Sequence, residues 1–350
     1  MVTHMKTTVE IADDLLARAK RQARKERTTL RALIDEALRA RLGRGASPAF
    51  RLRRHAATGS GLQPGIGEGR WEDVRDLIYR MSGIFQTDNK FYLLANRCQR
   101  RMSAVKSGSF ADYLEHLTTR STRDAEMRAL LNEITIGETC FFRNQPQLDA
   151  VTKVILPKLT ALKTKQSFKK IRVWSAGCST GEEPYTLAIV FLEQLAQKFK
   201  GWSFEIVATD LNDNSLVKCR EGSYTNYALR NTSPEMRDKF FTPDGDAFKV
   251  RDEVRALIKF DRLNLQDQAK ILFMKGFDII FCCNVLIYFD GASKRRTVEH
   301  FFNALLPGGY FFLGHSESLY GINDRLRLVH FPNATSYYKP NPGDPAGDSL

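Results

Sequence analysis

Residues 171 to 338 carry βα units in succession, and this pattern limits the fold more than any other feature of the chain. "IRVWSAG" is a strand-like apolar run ending in a glycine-containing loop, and "EPYTLAIVFLEQLAQKF" has helical periodicity. "FEIVATDLN" and "NDNSLVKCREG" repeat strand and helix. "FDIIFCCNVLIYF", "KRRTVEHFFNALLPGG" and "YFFLGHSESL" then give strand, helix, strand. Such alternation predicts an α/β sheet whose ligand lies at the carboxyl ends of the strands, near the switch in strand order.

The 350 residues leave room for two or three domains, and 43% hydrophobic content suffices for a packed core. A net charge of +13 suits acidic partners, nucleic acid or an acidic protein surface, and equally suits solubility. Six cysteines form no CxxC pair and no metal-ligating spacing with histidine, so neither a disulfide framework nor a structural zinc is expected. No apolar run approaches the roughly 20 residues that span a bilayer, and the first 20 residues lack an apolar signal core. A cytoplasmic protein with no membrane insertion and no metal is expected.

The loop "SAGCSTGEE" invites close approach of backbone to a ligand, yet Glu182 and Glu183 place negative charge where a phosphate would have to sit. Asp210 ends the next strand, where a carboxylate can accept both hydroxyls of a ribose. GxGxxG is absent. A nucleoside with net positive charge fits these residues, and S-adenosylmethionine, a sulfonium with an amino group, has that property.

Upstream lies a segment of different character. In "MKTTVEI", Thr7, Val9 and Ile11 alternate with Lys6, Thr8 and Glu10, which predicts a short strand, followed by two amphipathic helices in "DDLLARAKRQARKER" and "TTLRALIDEALRARL". So short a unit, residues 1–43, is expected to dimerise through its strand and to offer Lys6, Thr8 and Glu10 to a DNA groove; a plain dimerisation module is the other reading. Residues 44–81 hold a Gly-, Pro- and Arg-rich linker and tail. Residues 82–165 read as helical and basic, with Ser109 capping "FADYLEHL".

Two resemblances sharpen these readings. Residues 5–81 resemble a VapB-type ribbon-helix-helix antitoxin, which implies that Trp71, Leu77, Ile78 and Tyr79 face a toxin. "ITIGETCFFRN", "VWSAGCSTGEEPYTLAI", "ATDLN", "FDIIFCCNVLIYFD" and "FFLGHSESL" together resemble the CheR family of chemotaxis receptor methyltransferases over residues 84–340. That resemblance implies a Rossmann-like methyltransferase domain over 166–340 with a small β-subdomain near 223–262 and a helical domain before it; beyond its reach, residues 341–350 are expected to be a disordered tail. It implies protein-glutamate O-methylation of chemoreceptor cytoplasmic helices, with S-adenosylmethionine converted to S-adenosylhomocysteine.

Carried onto this sequence, the resemblance assigns cofactor contacts to Thr139, Arg143, Gly177, Glu183 or its neighbour Glu182, Asp210, Asn264, Leu265, Asn284 and Val285. It sets Arg143 and Tyr288 at the reacting groups, and Arg97, Arg100 and Arg101 toward the acidic receptor helix. Cys283 stands where relatives often carry Arg. The alternative is a DNA- or toxin-binding regulator whose methyltransferase-like part senses cofactor and is catalytically weak.

Overall fold

The computed structural model describes residues 71–87, 91–164 and 169–344, together with Ala19, Gln22, Ala23 and Thr29. The chain divides into two compact units, Met1–Gly61 and Leu62–Leu350. The expected ribbon strand with Lys6, Thr8 and Glu10 lies outside the described residues.

The second unit begins with a helical layer: α1 (Trp71–Ser82), α2 (Phe91–Val105), α3 (Phe110–Thr118) and α4 (Arg123–Ile134). Ser109 caps α3 by accepting the Asp112 amide at 3.1 Å. Helix α1 overturns the toxin-facing expectation. Its sequence puts Trp71, Val74 and Ile78 on one stripe, and that stripe is buried, with Ile78 fully enclosed and the Trp71 ring edge-on to Phe110 at 4.6 Å. Leu77 packs against the same core, and the Tyr79 hydroxyl donates to Asp290 at 3.1 Å. These residues belong to the core of the helical layer.

A helical stretch, α5 (Gln145–Ala150) and α6 (Leu156–Lys163) joined by a π-helical turn at Val151–Ile155, leads into the sheet domain. There the order is β1 (Lys170–Ala176), α7 (Glu182–Gln197), β2 (Ser203–Asp210), α8 (Asp213–Glu221), β3 (Ser223–Thr225), α9 (Pro234–Phe240), β4 (Phe241–Asp244) and β5 (Ala247–Val250). It continues through α10 (Asp252–Arg255), β6 (Ile258–Arg262), α11 (Gln268–Ile271), β7 (Phe277–Cys282), α12 (Gly291–Ala304), β8 (Leu305–Leu313), β9 (Arg327–Phe331) and β10 (Ala334–Tyr338).

Seven strands form one sheet in the order β6-β2-β1-β7-β8-β10-β9. The first five are mutually parallel, and β10 runs antiparallel to both β8 and β9. Alternate residues of the inner strands serve opposite faces: Val173, Ile279 and Phe281 pack with α7 on one side, while Trp174, Ile280 and Cys282 pack toward the helical layer and α12 on the other. Both faces are covered, so the strands read as continuous apolar runs.

The structure corrects three expectations. The small sheet is β3-β5-β4 and ends at Val250; β6, expected within it, pairs in parallel with β2 of the main sheet. The alternation of strand and helix gives way at the carboxyl end to the β9–β10 hairpin, turned at Asn333 with φ +57°. Residues 341–344, expected in a disordered tail, fold back: Asp344 accepts the Tyr338 hydroxyl at 2.9 Å and the Asn341 amide at 2.8 Å.

Candidate active site

The strand order reverses direction between β1 and β7, and a cleft of about 360 Å³ opens there over the carboxyl ends of β1, β2 and β7. Three βα loops and the connection after α4 supply its walls.

The first wall is the loop after β1. Gly177 adopts φ +79°, and a Cβ on it would stand 2.4 Å from Val285, so only glycine allows this loop to lie against the one after β7. The Gly177 and Cys178 amides both donate to the Thr209 carbonyl, at 2.8 and 3.0 Å, which fixes the loop to β2. Ser179 has φ +51°, and its hydroxyl is buried without a partner at the cleft wall. A buried orphan hydroxyl of this kind is what a polar ligand would satisfy.

The two glutamates part company. Glu183 lines the cleft, accepts the Ser175 hydroxyl at 2.7 Å, and is pushed above the usual carboxylate range by burial, with the Ser175 and Cys283 hydrogen bonds and the Arg143 charge opposing. Glu182 does not face the cleft: it is buried in the first turn of α7, where it accepts the Thr180 hydroxyl at 2.7 Å. One turn position rotates the side chain by about 100°, enough to remove Glu182 from the ligand side.

Asp210 ends β2 with one carboxylate oxygen on the Ser179 amide at 2.7 Å and the other on the Asn212 amide at 2.8 Å. Burial raises its pKa against the pull of those amides. Each oxygen keeps a further lone pair for a ligand hydroxyl.

The loop after β7 brings Asn284, Val285 and Tyr288 to the cleft. Asn284 has φ +61°, and Tyr288, 37% exposed, closes a 3₁₀ turn at Leu286–Tyr288. Burial raises the Tyr288 phenol above its ordinary value, so it is a neutral donor at pH 7. Cys283 sits in the cleft wall with its thiol 3.9 Å from Gln147 Oε1.

The connection after α4 crosses the opening. Thr139 and Arg143 line the cleft, and Arg143 donates to the Glu138 carbonyl at 3.1 Å from an exposed side chain. Phe141, between them, is core: its ring is edge-on to Tyr224 and Phe241 at 4.9 and 5.1 Å. Asn264 and Leu265 line the opposite side, where the Asn264 side-chain oxygen accepts Gln266 N at 3.0 Å and its nitrogen donates to the Met81 carbonyl, so its local turn role is established.

The three arginines expected at the receptor differ in surroundings. Arg101 is corrected: its guanidinium is bidentate on Glu126, at 3.0 and 2.7 Å, and Glu126 also accepts the Tyr113 hydroxyl at 2.9 Å. That geometry commits it to the helical core. Arg97 donates to the Ile134 carbonyl at 2.8 Å, closing the end of α4 beside the cleft. Arg100 is exposed, with Glu133 at 3.4 Å.

Residues not singled out from sequence also build the site. Asn212 caps α8 through Asn214 N and Ser215 N, at 2.9 and 3.1 Å, and reaches across to Thr135 and Asn132 of the helical layer. The cap signal was present in "LNDNS"; the cross-layer bond was not. Glu317 lies behind the cleft within "GHSESL".

An open sheet in this order, counted within itself 3-2-1-4-5-7-6, with a glycine loop after its first strand and an acid ending its second, defines an S-adenosylmethionine-dependent methyltransferase fold. Residues 137–335 match the family model described as CheR methyltransferase, SAM binding domain, and residues 70–135 match CheR methyltransferase, all-alpha domain. The chain is 34% identical over 270 residues to Chemotaxis protein methyltransferase 2 of Vibrio cholerae, spanning 77% of this chain and 92% of that protein. Chemotaxis protein methyltransferase 1 of the same organism is 37% identical over 268 residues, spanning 75% and 94%. The Borreliella burgdorferi chemotaxis protein methyltransferase is 33% identical over 254 residues, spanning 72% and 89%. This chain belongs to the CheR methyltransferase family. The all-alpha match begins at residue 70, in agreement with the packing of α1 into the helical layer.

Proposed function

We propose that the chain methylates glutamate side chains on the cytoplasmic helices of chemoreceptors, using S-adenosylmethionine. The observation that carries this reading is the meeting of Arg143, Glu183, Asp210 and Tyr288 around one cleft at the sheet's switch point.

The donor set suits this cofactor. Asp210 takes the ribose hydroxyls, Arg143 takes the methionyl carboxylate as a fork, and Glu183 faces the cationic end; Thr139, Gly177, Asn264, Leu265, Asn284 and Val285 shape the remainder. Bound there, the cofactor supplies a methyl group already activated on sulfonium sulfur. Transfer of that methyl to a glutamate oxygen would exchange an S–CH3 bond for an O–CH3 ester bond and would neutralise the sulfonium and carboxylate charges together. An acceptor glutamate is ionised at pH 7, so no side chain has to remove a proton. The protein's share is alignment and exclusion of water, with Tyr288 at the mouth. Arg97, tied to the cleft rim through the Ile134 carbonyl, and Arg100, exposed on the same helix, face the acidic receptor helix.

The test is isothermal titration of S-adenosylmethionine and S-adenosylhomocysteine into wild type and Asp210→Ala, paired with transfer of tritiated methyl to receptor fragments. Binding lost in the variant, with base-labile label on the receptor in wild type, is expected. Binding without transfer would overturn the enzyme reading.

For residues 1–43 the proposal is a dimerising ribbon-helix-helix unit that reads DNA through Lys6, Thr8 and Glu10. Sequence pattern alone supports it, and a mobility-shift selection on random duplexes that recovers no preferred site would sink it.

A further inference from the structure

Glu317 takes none of the cofactor-binding roles, yet its carboxylate gathers three backbone amides from two loops. Oε2 accepts Asn284 N at 2.6 Å and Gly314 N at 2.9 Å, and Oε1 accepts Ile287 N at 3.2 Å. Asn284 and Ile287 belong to the loop after β7, whose far end is tied to the helical layer by an antiparallel bridge between Ile84 and Phe289; Gly314 follows β8.

The surroundings draw this point tightly. Asn284 sits at φ +61°, a left-handed conformation that asparagine tolerates better than most residues and that the surrounding hydrogen bonds fix in place. A Cβ on Gly314 would lie 2.8 Å from the Asn284 side-chain nitrogen Nδ2 and 2.9 Å from Glu317 Oε2, so the two loops lie against each other at the carboxylate. Behind it, the Tyr337 hydroxyl on β10 accepts Leu319 N at 2.9 Å, fixing the turn that carries Glu317 to the sheet.

From this geometry we propose that Glu317 is a positioning residue for methyl transfer: it holds the 284–288 loop so that Asn284, Val285 and Tyr288 frame the mouth of the cleft. The role rests on the methyltransferase reading. Tyr288 depends on it at one remove, because Tyr288 N donates to Val285 O at 3.1 Å within the turn whose first amides Glu317 holds, while its carbonyl takes Phe85 N at 2.8 Å. A carboxylate suits the position since both of its oxygens accept; an amide would set its own N–H against one of the three donors.

The experiment compares wild type, Glu317→Gln and Glu317→Ala. Turnover at saturating S-adenosylmethionine is normalised to the number of S-adenosylhomocysteine-binding sites found by titration, and the amide-proton resonances of Asn284, Ile287 and Gly314 are followed by NMR. Expected are a roughly tenfold loss of turnover per binding site in the Gln variant, a larger loss in the Ala variant, and upfield movement of the three amide resonances in the Gln variant. Turnover per site within about twofold of wild type in both variants would overturn the proposal even if melting temperature fell, because Glu317 would then only stabilise the fold. Unmoved resonances in the Gln variant would overturn it independently of activity. A wild type that binds the cofactor but never transfers methyl would instead defeat the functional reading, and this proposal with it.

Discussion

Asn212 Nδ2 donates to Thr135 Oγ1 across 2.7 Å, joining the end of the helical layer to the loop that follows Asp210. The same amide gives its second hydrogen to the Asn132 carbonyl at 3.0 Å, and its oxygen caps α8. Asn212→Ala is therefore expected to cost about 2 kcal/mol, roughly half from the cap and half from the cross-layer bonds. Thr135→Val should cost about 1 kcal/mol, and the pair should couple by about 1 kcal/mol in a denaturant double-mutant cycle. Additive effects would show that the two layers are not joined here.

The buried carboxyls make a signed pH prediction. Burial raises Asp210 and Glu183 above the ordinary carboxylate range, about 4. A raised folded-state pKa contributes stability that is fully present below the unfolded value and is lost as pH rises through the raised one. Cation binding has the opposite sign, because it requires the ionised form. S-adenosylmethionine affinity should be full above the raised values and fall as pH drops through them, while Asp210→Asn should bind at least about tenfold more weakly at pH 7 with a flatter profile. Titration calorimetry across pH checks both; equal slopes in wild type and variant would contradict the assignment.

Arg100 and Arg101 are neighbours in sequence with opposite expected phenotypes. Arg101→Ala removes the partner of Glu126, whose side chain is 6% exposed, and should cost about 3 kcal/mol or more. Arg100→Ala, on the surface, should change stability by less than about 0.5 kcal/mol and weaken receptor methylation through a higher KM. Melting temperatures and methylation kinetics on the two variants decide the matter.

Helix α1 can be tested as part of the enzyme. Trp71→Ala empties a site packed against Phe110 and should destabilise the helical layer by about 3–5 kcal/mol. A chemical melt indistinguishable from wild type would return residues 71–82 to a partner-facing role.

Much of the sheet domain was legible because its signals are local. The strand runs, the glycine loop and the acid at the end of β2 each follow from a few adjacent residues, and the cleft residues Gly177, Glu183 and Asp210 stand at loop positions that such a pattern marks. Helix α1 was legible as a helix but not by owner: its apolar stripe reads the same whether it covers a toxin or Phe110. Arg101 and Arg100 look alike in a basic run, since nothing local reveals which one turns toward Glu126, 25 residues away.

The sequence by itself determined the periodicities, the positions of the loops and the residue types available at each strand end, because those depend on backbone geometry within a few residues. Tertiary structure decided which side chains meet. Glu183 rather than Glu182 reached the cleft by the turn of a helix, Asn212 found Thr135 across 77 residues, and Glu317 found Asn284 across 33. Long-range pairings are chosen by the packing of whole layers, where burying a polar group demands a partner wherever in the chain it lies.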